Sequence, residues 1–410
     1  MATETTSTQK PFFPSGRQEK RRVLLEAVES VRGVAEAHAD EAEASGALHP
    51  EVVHALTSTG LFRLKLPAEL GGAEADPVTQ LDVIEAMTYI DTSAGWAVMI
   101  GATSVGWPGA YLPDAAIATV FAGGRVPHVA GTGGIGGNAV VADGGYRLTG
   151  RFPFASGIRY ADWLIAGSRV QRVEGEPPEG RFFIFPVADA IVHEDSWDVA
   201  GLKGSSSNDF SVEDLFVPEA FTWDRGLLVR GEPLRGGPIF RLGMPAFTSN
   251  EHLSFALGAA RRALALVIEL ASSKRRGPSQ NPIAERPVFQ RFVSTADLRL
   301  RAARARAVEC LEEAWQCVCR GQTPEPRLQA EIRATSVYVT EECIDVATQA
   351  FRYAGGGALQ SSNLLQRIWR DITASGQHVA VNDEGYEEYG RHLLGIAAPL
   401  PANPGISGGR

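Results

Sequence analysis

A change of texture near Val126, reversed about a hundred residues later, constrains this chain most. From about Glu19 to Phe121 apolar residues recur at helical steps: Leu24, Val28, Val31 and Ala35, then Val52, Val53, Leu56 and Leu61 after His49-Pro50. Leu66-Pro-Ala-Glu-Leu-Gly-Gly72 interrupts that pattern, which resumes over Val78–Ile90 and again from Ser93-Ala-Gly-Trp96. Beyond Val126 glycines cluster and short runs alternate instead: Ala139–Ala142, Tyr146–Thr149, Trp163–Ala166 and Phe182–Phe185. Each is bounded by Gly, Pro or Asp, the signature of strands. Asp143-Gly144-Gly145 between two of them predicts a hairpin turn. From about Ile239 four long amphipathic stretches follow, Ser254–Lys274, Val288–Val318, Pro326–Ala354 and Asn363–Leu394. Linked by short breaks, they predict a four-helix bundle. The expected fold is α+β, mostly α. It divides into a tail (1–18), an N-terminal α domain (19–125), a middle β domain (126–230), the bundle (231–395) and a second tail (396–410).

Charge narrows the function. With 39 basic against 48 acidic residues the net charge is -9, which argues against a nucleic-acid partner. No apolar run approaches the roughly 20 residues of a membrane helix, and the polar N-terminus shows no signal-peptide pattern. Cys310, Cys317, Cys319 and Cys343 match no zinc spacing, so buried free thiols in a reducing cytoplasm are expected and no metal site. Gly131-Thr-Gly133-Gly-Ile-Gly136 fits G-x-G-x-x-G, but strand-like sequence follows it where a dinucleotide site needs a helix.

Several segments resemble the acyl-CoA dehydrogenase superfamily over about residues 20–395. They are Gly60-Leu-Phe-Arg-Leu-Lys-Leu-Pro67 with Gly71-Gly72, Ser93-Ala-Gly-Trp96, Gly150-Arg-Phe-Pro-Phe-Ala-Ser-Gly157 with Trp163, Gly201-Leu-Lys-Gly-Ser-Ser-Ser-Asn208 and Val217-Pro-Glu219. That resemblance implies a helical N-terminal domain, a middle β-barrel or sandwich and a C-terminal four-helix bundle, assembled as a homotetramer. Dehydrogenases of the family use a catalytic carboxylate, yet Arg370-Asp-Ile-Thr-Ala-Ser-Gly-Gln-His378 offers a histidine, with no acid between Asp371 and Asp383. In this respect the chain is closer to the two-component flavin monooxygenases. These take reduced flavin (FADH2 or FMNH2) from a separate NAD(P)H:flavin reductase and use O2 through a C4a-(hydro)peroxyflavin.

The resemblance also assigns roles. Ser156 would sit at the reactive edge of the flavin beside Phe154, unless it is a turn serine bonding its own backbone. His378 would serve as base or as hydrogen-bond partner to the peroxide, work that an imidazole titrating near neutrality suits. Many relatives carry a second histidine where Ser104 stands here, so either His378 handles phenol deprotonation alone or the substrate is not a phenol. His128 is a substitute for it or a packing residue. Arg276 corresponds to an arginine that reaches flavin phosphates, and Gly355 and Gly356 to a Gly-Gly element near the adenosine end or to a helix terminus. Ser104, Trp107 and Phe247 are candidate walls of the substrate pocket. Similar proteins oxidise aromatic carbon, amine nitrogen or sulfur. Two other readings stand beside this one: a dehydrogenase drawing its base from Glu251, and an idle scaffold that keeps the fold for assembly.

Overall fold

Asp76 and Asp91 show how the N-terminal layer is set. Asp76 accepts hydrogen bonds from the Val78 and Thr79 N–H groups, with Pro77 at the first helical position, and so starts α3 (Pro77–Ile90). Asp91 accepts from Ala94 and starts α4 (Thr92–Tyr111), a helix apolar on nearly every face and buried on all but Ile100 and Gly101. Around them pack α1 (Arg17–Ser45), which buries Leu24, Val28, Val31, Ala35 and Ala42, together with α2 (Pro50–Ser58) and α5 (Asp114–Val120). The computed structural model describes residues 12–172, 177–275 and 281–396.

Among the described residues seven strands follow: β1 (Val129–Ala142), β2 (Gly145–Phe152), β3 (Trp163–Val170), β4 (Glu179–Pro186), β5 (Ile191–His193), β6 (Asp209–Pro218) and β7 (Thr222–Asp224). They form one sheet in the order β5-β6-β2-β1-β3-β4-β7, parallel between β1 and β3 and antiparallel elsewhere. The expected hairpin joins β1 to β2, with Gly144 at φ 73°. The G-x-G-x-x-G run lies inside β1, where the pairing with β3 is bulged. Gly131 is required there: φ is 149°, and a Cβ would come within 2.3 Å of the Ile165 carbonyl oxygen.

The C-terminal part contains α6 (Arg225–Arg230), α7 (Ala246–Ala271), α8 (Pro287–Cys319), α9 (Pro326–Ala354), α10 (Leu364–Ser375) and α11 (Glu384–Leu393). Two boundaries differ from the sequence pattern. The first bundle helix begins at Ala246 rather than Ser254, and the fourth stretch is two helices. The break follows Gly376, which packs against Ile344 where a Cβ would sit only 2.7 Å away. His378 then caps a short 3-10 turn, Val379–Val381.

Asp371 joins the three layers. Fully buried on α10, it accepts from the Thr92 hydroxyl at 2.5 Å and from the Leu202 N–H at 2.6 Å. Burial raises its pKa to about 6, against the pull of those two hydrogen bonds. No helix among the described residues is long and apolar enough to cross a membrane. The cysteines are free; Cys310 and Cys343 are buried as expected, whereas Cys319 is exposed.

Candidate active site

Trp96 is the hub of the site. It projects from α4 toward three other parts of the chain. Its indole Nε1 donates to the Ser156 hydroxyl at 3.0 Å. Ser156 Oγ lies 2.7 Å from Ser207 Oγ, which lies 2.7 Å from Ser205 Oγ, so three hydroxyls form a chain. The segment carrying Ser156 is held by backbone bonds from Ala155 N–H to the Asn208 carbonyl (3.1 Å) and from Gly157 N–H to the Ser205 carbonyl (2.9 Å). Beside it Phe154 adopts φ 64°, uncommon for an aromatic residue, and remains 66% exposed with its ring near Trp197.

Two imidazoles complete the same surface. His252 of α7 and His378 stack with ring centroids 4.1 Å apart and planes at 30°. Trp96 lies edge-on to both, at 5.8 Å and 6.3 Å. His378 Nδ1 accepts the Ala380 N–H at 3.2 Å, which assigns the proton of the neutral ring to Nε2. Desolvation holds His378 down to about 4. His252 is held well below its ordinary value by burial, then by His378 and by Lys65. His252 is only 3% exposed, and its Nδ1 finds no hydrogen-bond partner among the described residues.

The carboxylate next to His252 is otherwise engaged. Glu251 accepts from the Lys65 ammonium and from the Thr103 hydroxyl, both in very close contact. Lys65, completely buried, also donates to the Phe247 carbonyl at 2.6 Å and lies 4.4 Å from the centre of the Phe247 ring. Burial pushes Glu251 up and Lys65 down, while each opposes the shift of the other.

A narrow cleft on the other side of Ser156 is lined by Phe62, Gly101, Pro127, His128, Val129 and Tyr160. Thr57 spends its hydroxyl proton on the Val53 carbonyl at 2.6 Å, so its 3.2 Å contact with His128 Nε2 is donated by the imidazole. The lone pair of neutral His128 is then at Nδ1, and burial lowers the pKa of the ring.

Other candidates fall at varying distances from this centre. Ser104 is buried on α4, one residue past Thr103. Trp107 packs on Phe182 with centroids 5.5 Å apart, and its Nε1 has no hydrogen-bond partner among the described residues. Phe247 is buried against Phe240 and Lys65. Gly355 ends α9 at φ 65° and ψ -160°, a conformation that glycine alone accommodates, with the Lys274 side chain alongside. Among the described residues nothing lies within 4 Å of where a Gly356 Cβ would sit. Arg276 lies outside the described residues. Away from the site His38 and Glu41 meet His49, whose Nδ1 accepts the Glu51 N–H at 3.3 Å. That bond leaves the His49 proton on Nε2 facing Glu41, an arrangement that ties α1 to α2 rather than offering lone pairs to a metal ion.

Sequence reasoning passed over His252, Trp96, Ser207 and Lys65 as site residues. Their signal was positional. Trp96, Ser207 and Lys65 stand inside the segments that carry the resemblance, and His252 precedes Phe255, Ala256 and Ala259 at helical spacing on a buried face.

Residues 17–112 match the acyl-CoA dehydrogenase N-terminal domain and residues 252–383 its C-terminal domain. Indole-3-acetate monooxygenase from Pseudomonas putida is 31% identical over 360 residues, 86% of this chain and 88% of that protein. The chain belongs to the flavin-dependent monooxygenases of the acyl-CoA dehydrogenase superfamily. Among these monooxygenases, the oxygenase subunit HsaA of Rhodococcus jostii is 26% identical over 365 residues, covering 87% of this chain and 94% of its own. XiaF from Streptomyces sp., solved in complex with FADH2 and glycerol, has a TM-score of 0.86 at 26% identity, covering 95% of this chain and 98% of its own.

Proposed function

We propose that this chain is the oxygenase component of a two-component monooxygenase. In this reading it receives FADH2 or FMNH2 from a separate NAD(P)H:flavin reductase and places one atom of O2 on a small aromatic substrate. The observation that carries the reading is the meeting of Ser156 and His378 around Trp96 from more than 200 residues apart in sequence. Reduced flavin, when bound, supplies the reaction with dioxygen; the protein orients and shields.

The residues present fit that group. Ser156 offers a hydroxyl whose partners are already fixed, Phe154 an exposed ring, and His378 an N–H at Nε2. A neutral ring that donates from Nε2 acts as a hydrogen-bond donor to a bound oxygen rather than as a base there. Proton removal from substrate is then assigned to His128, whose lone pair lies at Nδ1. The name of the Pseudomonas putida relative, which acts on an indole, agrees with this choice. The Lys274 ammonium beside Gly355 offers a cation to the diphosphate of FAD, for which the resemblance also assigns Arg276. The same reading makes the chain a cytoplasmic homotetramer, for which exposed Ile268, Val288, Leu298, Leu359, Leu393 and Leu394 offer apolar contacts. The dehydrogenase alternative loses support because Glu251 is held by Lys65 and Thr103.

The test is anaerobic. Protein loaded with chemically reduced FAD, and separately FMN, is mixed with oxygen in a stopped-flow instrument. Oxidised-flavin absorbance is expected to return well after that of free flavin. Immediate return, or tight binding of oxidised flavin alone, would sink the proposal.

A further inference from the structure

Two consecutive residues of α10 grip the segment that leads into the serine chain. Arg370 Nη1 donates to the Ala200 carbonyl at 2.5 Å, and Asp371 accepts the Leu202 N–H at 2.6 Å. Gly201 lies between them, so close to α10 that a Cβ there would come 2.3 Å from the Arg370 carbonyl oxygen. Arg370 is itself fixed by Glu43 of α1 at 2.7 Å and by Gln366 at 2.8 Å. The grip falls on strained backbone. Leu202 stands at φ 57° and Ser206 at φ 44°, left-handed values that a non-glycine residue keeps only where its surroundings fix them.

From Leu202 a closed circuit of hydrogen bonds can be followed. The Ser205 N–H donates to the Leu202 carbonyl at 3.1 Å. The Ser205, Ser207 and Ser156 hydroxyls then succeed one another at 2.7 Å, and Trp96 donates to Ser156 at 3.0 Å. Trp96 stands one turn beyond Thr92 on the same face of α4, and the Thr92 hydroxyl donates to Asp371 at 2.5 Å. Trp197 also holds the Leu202 and Lys203 carbonyls, both at 3.2 Å, but from within the β domain. Asp371 instead bonds at once to the strained segment and to the helix that carries Trp96. A carboxylate has acceptor capacity for both bonds.

We propose that Asp371 is a positioning residue for the flavin site: by joining Leu202 to Thr92 it sets the Ser205–Ser207–Ser156 chain against Trp96 and so presents Ser156 to reduced flavin. The proposal rests on the flavin reading of the site for its purpose, and its first test is made without flavin. In ¹⁵N-tryptophan-labelled flavin-free protein, the Trp96 indole N–H (assigned with Trp96→Phe) reports its bond to Ser156. In folded Asp371→Ala that resonance is expected to move toward its position in Ser156→Ala. In Asp371→Asn it should stay in place, because the amide oxygen still accepts the Leu202 N–H while the NH2 group meets the Thr92 hydroxyl. An unmoved Trp96 resonance in Asp371→Ala would overturn the proposal, since support of the fold alone leaves that bond untouched.

Titration with reduced FAD then measures the coupling. Asp371→Ala should weaken affinity about fivefold, the worth of one hydrogen bond, and less than about twofold when Ser156→Ala is already present. Equal losses in the two backgrounds would count against the proposal. Should Asp371→Ala not fold, Ser205→Ala cuts the same circuit further along. It is expected to move the Trp96 resonance too, and a resonance that stays put overturns the proposal. If reduced FAD fails to bind even the unaltered protein, the flavin reading falls, while the Trp96 resonance still decides whether Asp371 positions Ser156.

Discussion

Glu251 and His252 are consecutive residues of α7, both buried, and each belongs to a pair of opposite design. Glu251 faces Lys65: unlike charges in contact, with Thr103 as a second donor to the carboxylate and the Phe247 carbonyl as a second acceptor for the ammonium. His252 faces His378: like groups, neutral and stacked, with one nitrogen left unfilled. A buried charge pair is costly to break, and a polar atom left unmatched in a buried wall is costly to keep. The contrast also separates two chemistries. A dehydrogenase base has to be a carboxylate free to take a proton, and this one is committed to an ammonium.

The sharpest way to break the contrast is Lys65→Met. It strands a buried carboxylate, and about 3–5 kcal/mol of stability should be lost, measured by urea unfolding. Adding Glu251→Gln to it should restore most of the loss. The double variant should also leave hydroxylation largely intact, and a fall of roughly a hundredfold or more in that folded variant would mean that Glu251 takes part in proton transfer.

Acid and base linkage give the next effect, with opposite signs in two parts of the site. Asp371, raised to about 6 from 3.8, contributes stability that is fully present below pH 3.8 and is lost as pH rises through about 6. Its span is on the order of 3 kcal/mol, from two pKa units at 1.36 kcal/mol each. His378, depressed from 6.5 to about 4, contributes stability present above pH 6.5 and lost as pH falls through about 4. The two oppose one another in mildly acid solution. Removing the first with Asp371→Asn should make stability, followed by denaturant titration, climb more steeply between pH 4 and 7 than in the unaltered protein. His378→Gln should tilt the curve the other way. Parallel curves for all three proteins would mean that neither group titrates as its surroundings dictate.

These pairs also mark how far the sequence can be read. Periodicity separated the helical layers from the sheet because each element repeats its own burial pattern, as Leu24, Val28, Val31 and Ala35 do on α1. The glycine run at 131–136 was legible as something other than a nucleotide loop, because strand sequence follows it. Reading failed where tertiary contacts override local pattern. Polar Asn250, Glu251 and His252 broke the apolar stripe, so the helix seemed to start at Ser254, and its site-bearing first turns were left out. The last helical stretch read as continuous because Gly376 alone carries little weight; the helix ends there and His378 caps the turn that follows. Ser156 and His378 were recognisable by their segments. Trp96, which unites them, gains its meaning only from contacts made across the fold.

The smallest expected effect bears on that union. Trp96→Phe keeps a ring edge against both imidazoles and removes one N–H, so Ser156 loses a donor while the stacked pair keeps its wall. One hydrogen bond is worth about 1 kcal/mol, and reduced-flavin affinity should weaken about fivefold. Ser156→Ala takes away the same bond from the other end and leaves the indole N–H buried without its acceptor, so it should cost more. Reduced-flavin titration of both variants orders them. If Trp96→Phe proves the costlier, the indole acts chiefly through its packing on His252 and His378, and the imidazole pair, rather than the hydroxyl chain, governs how the flavin is held.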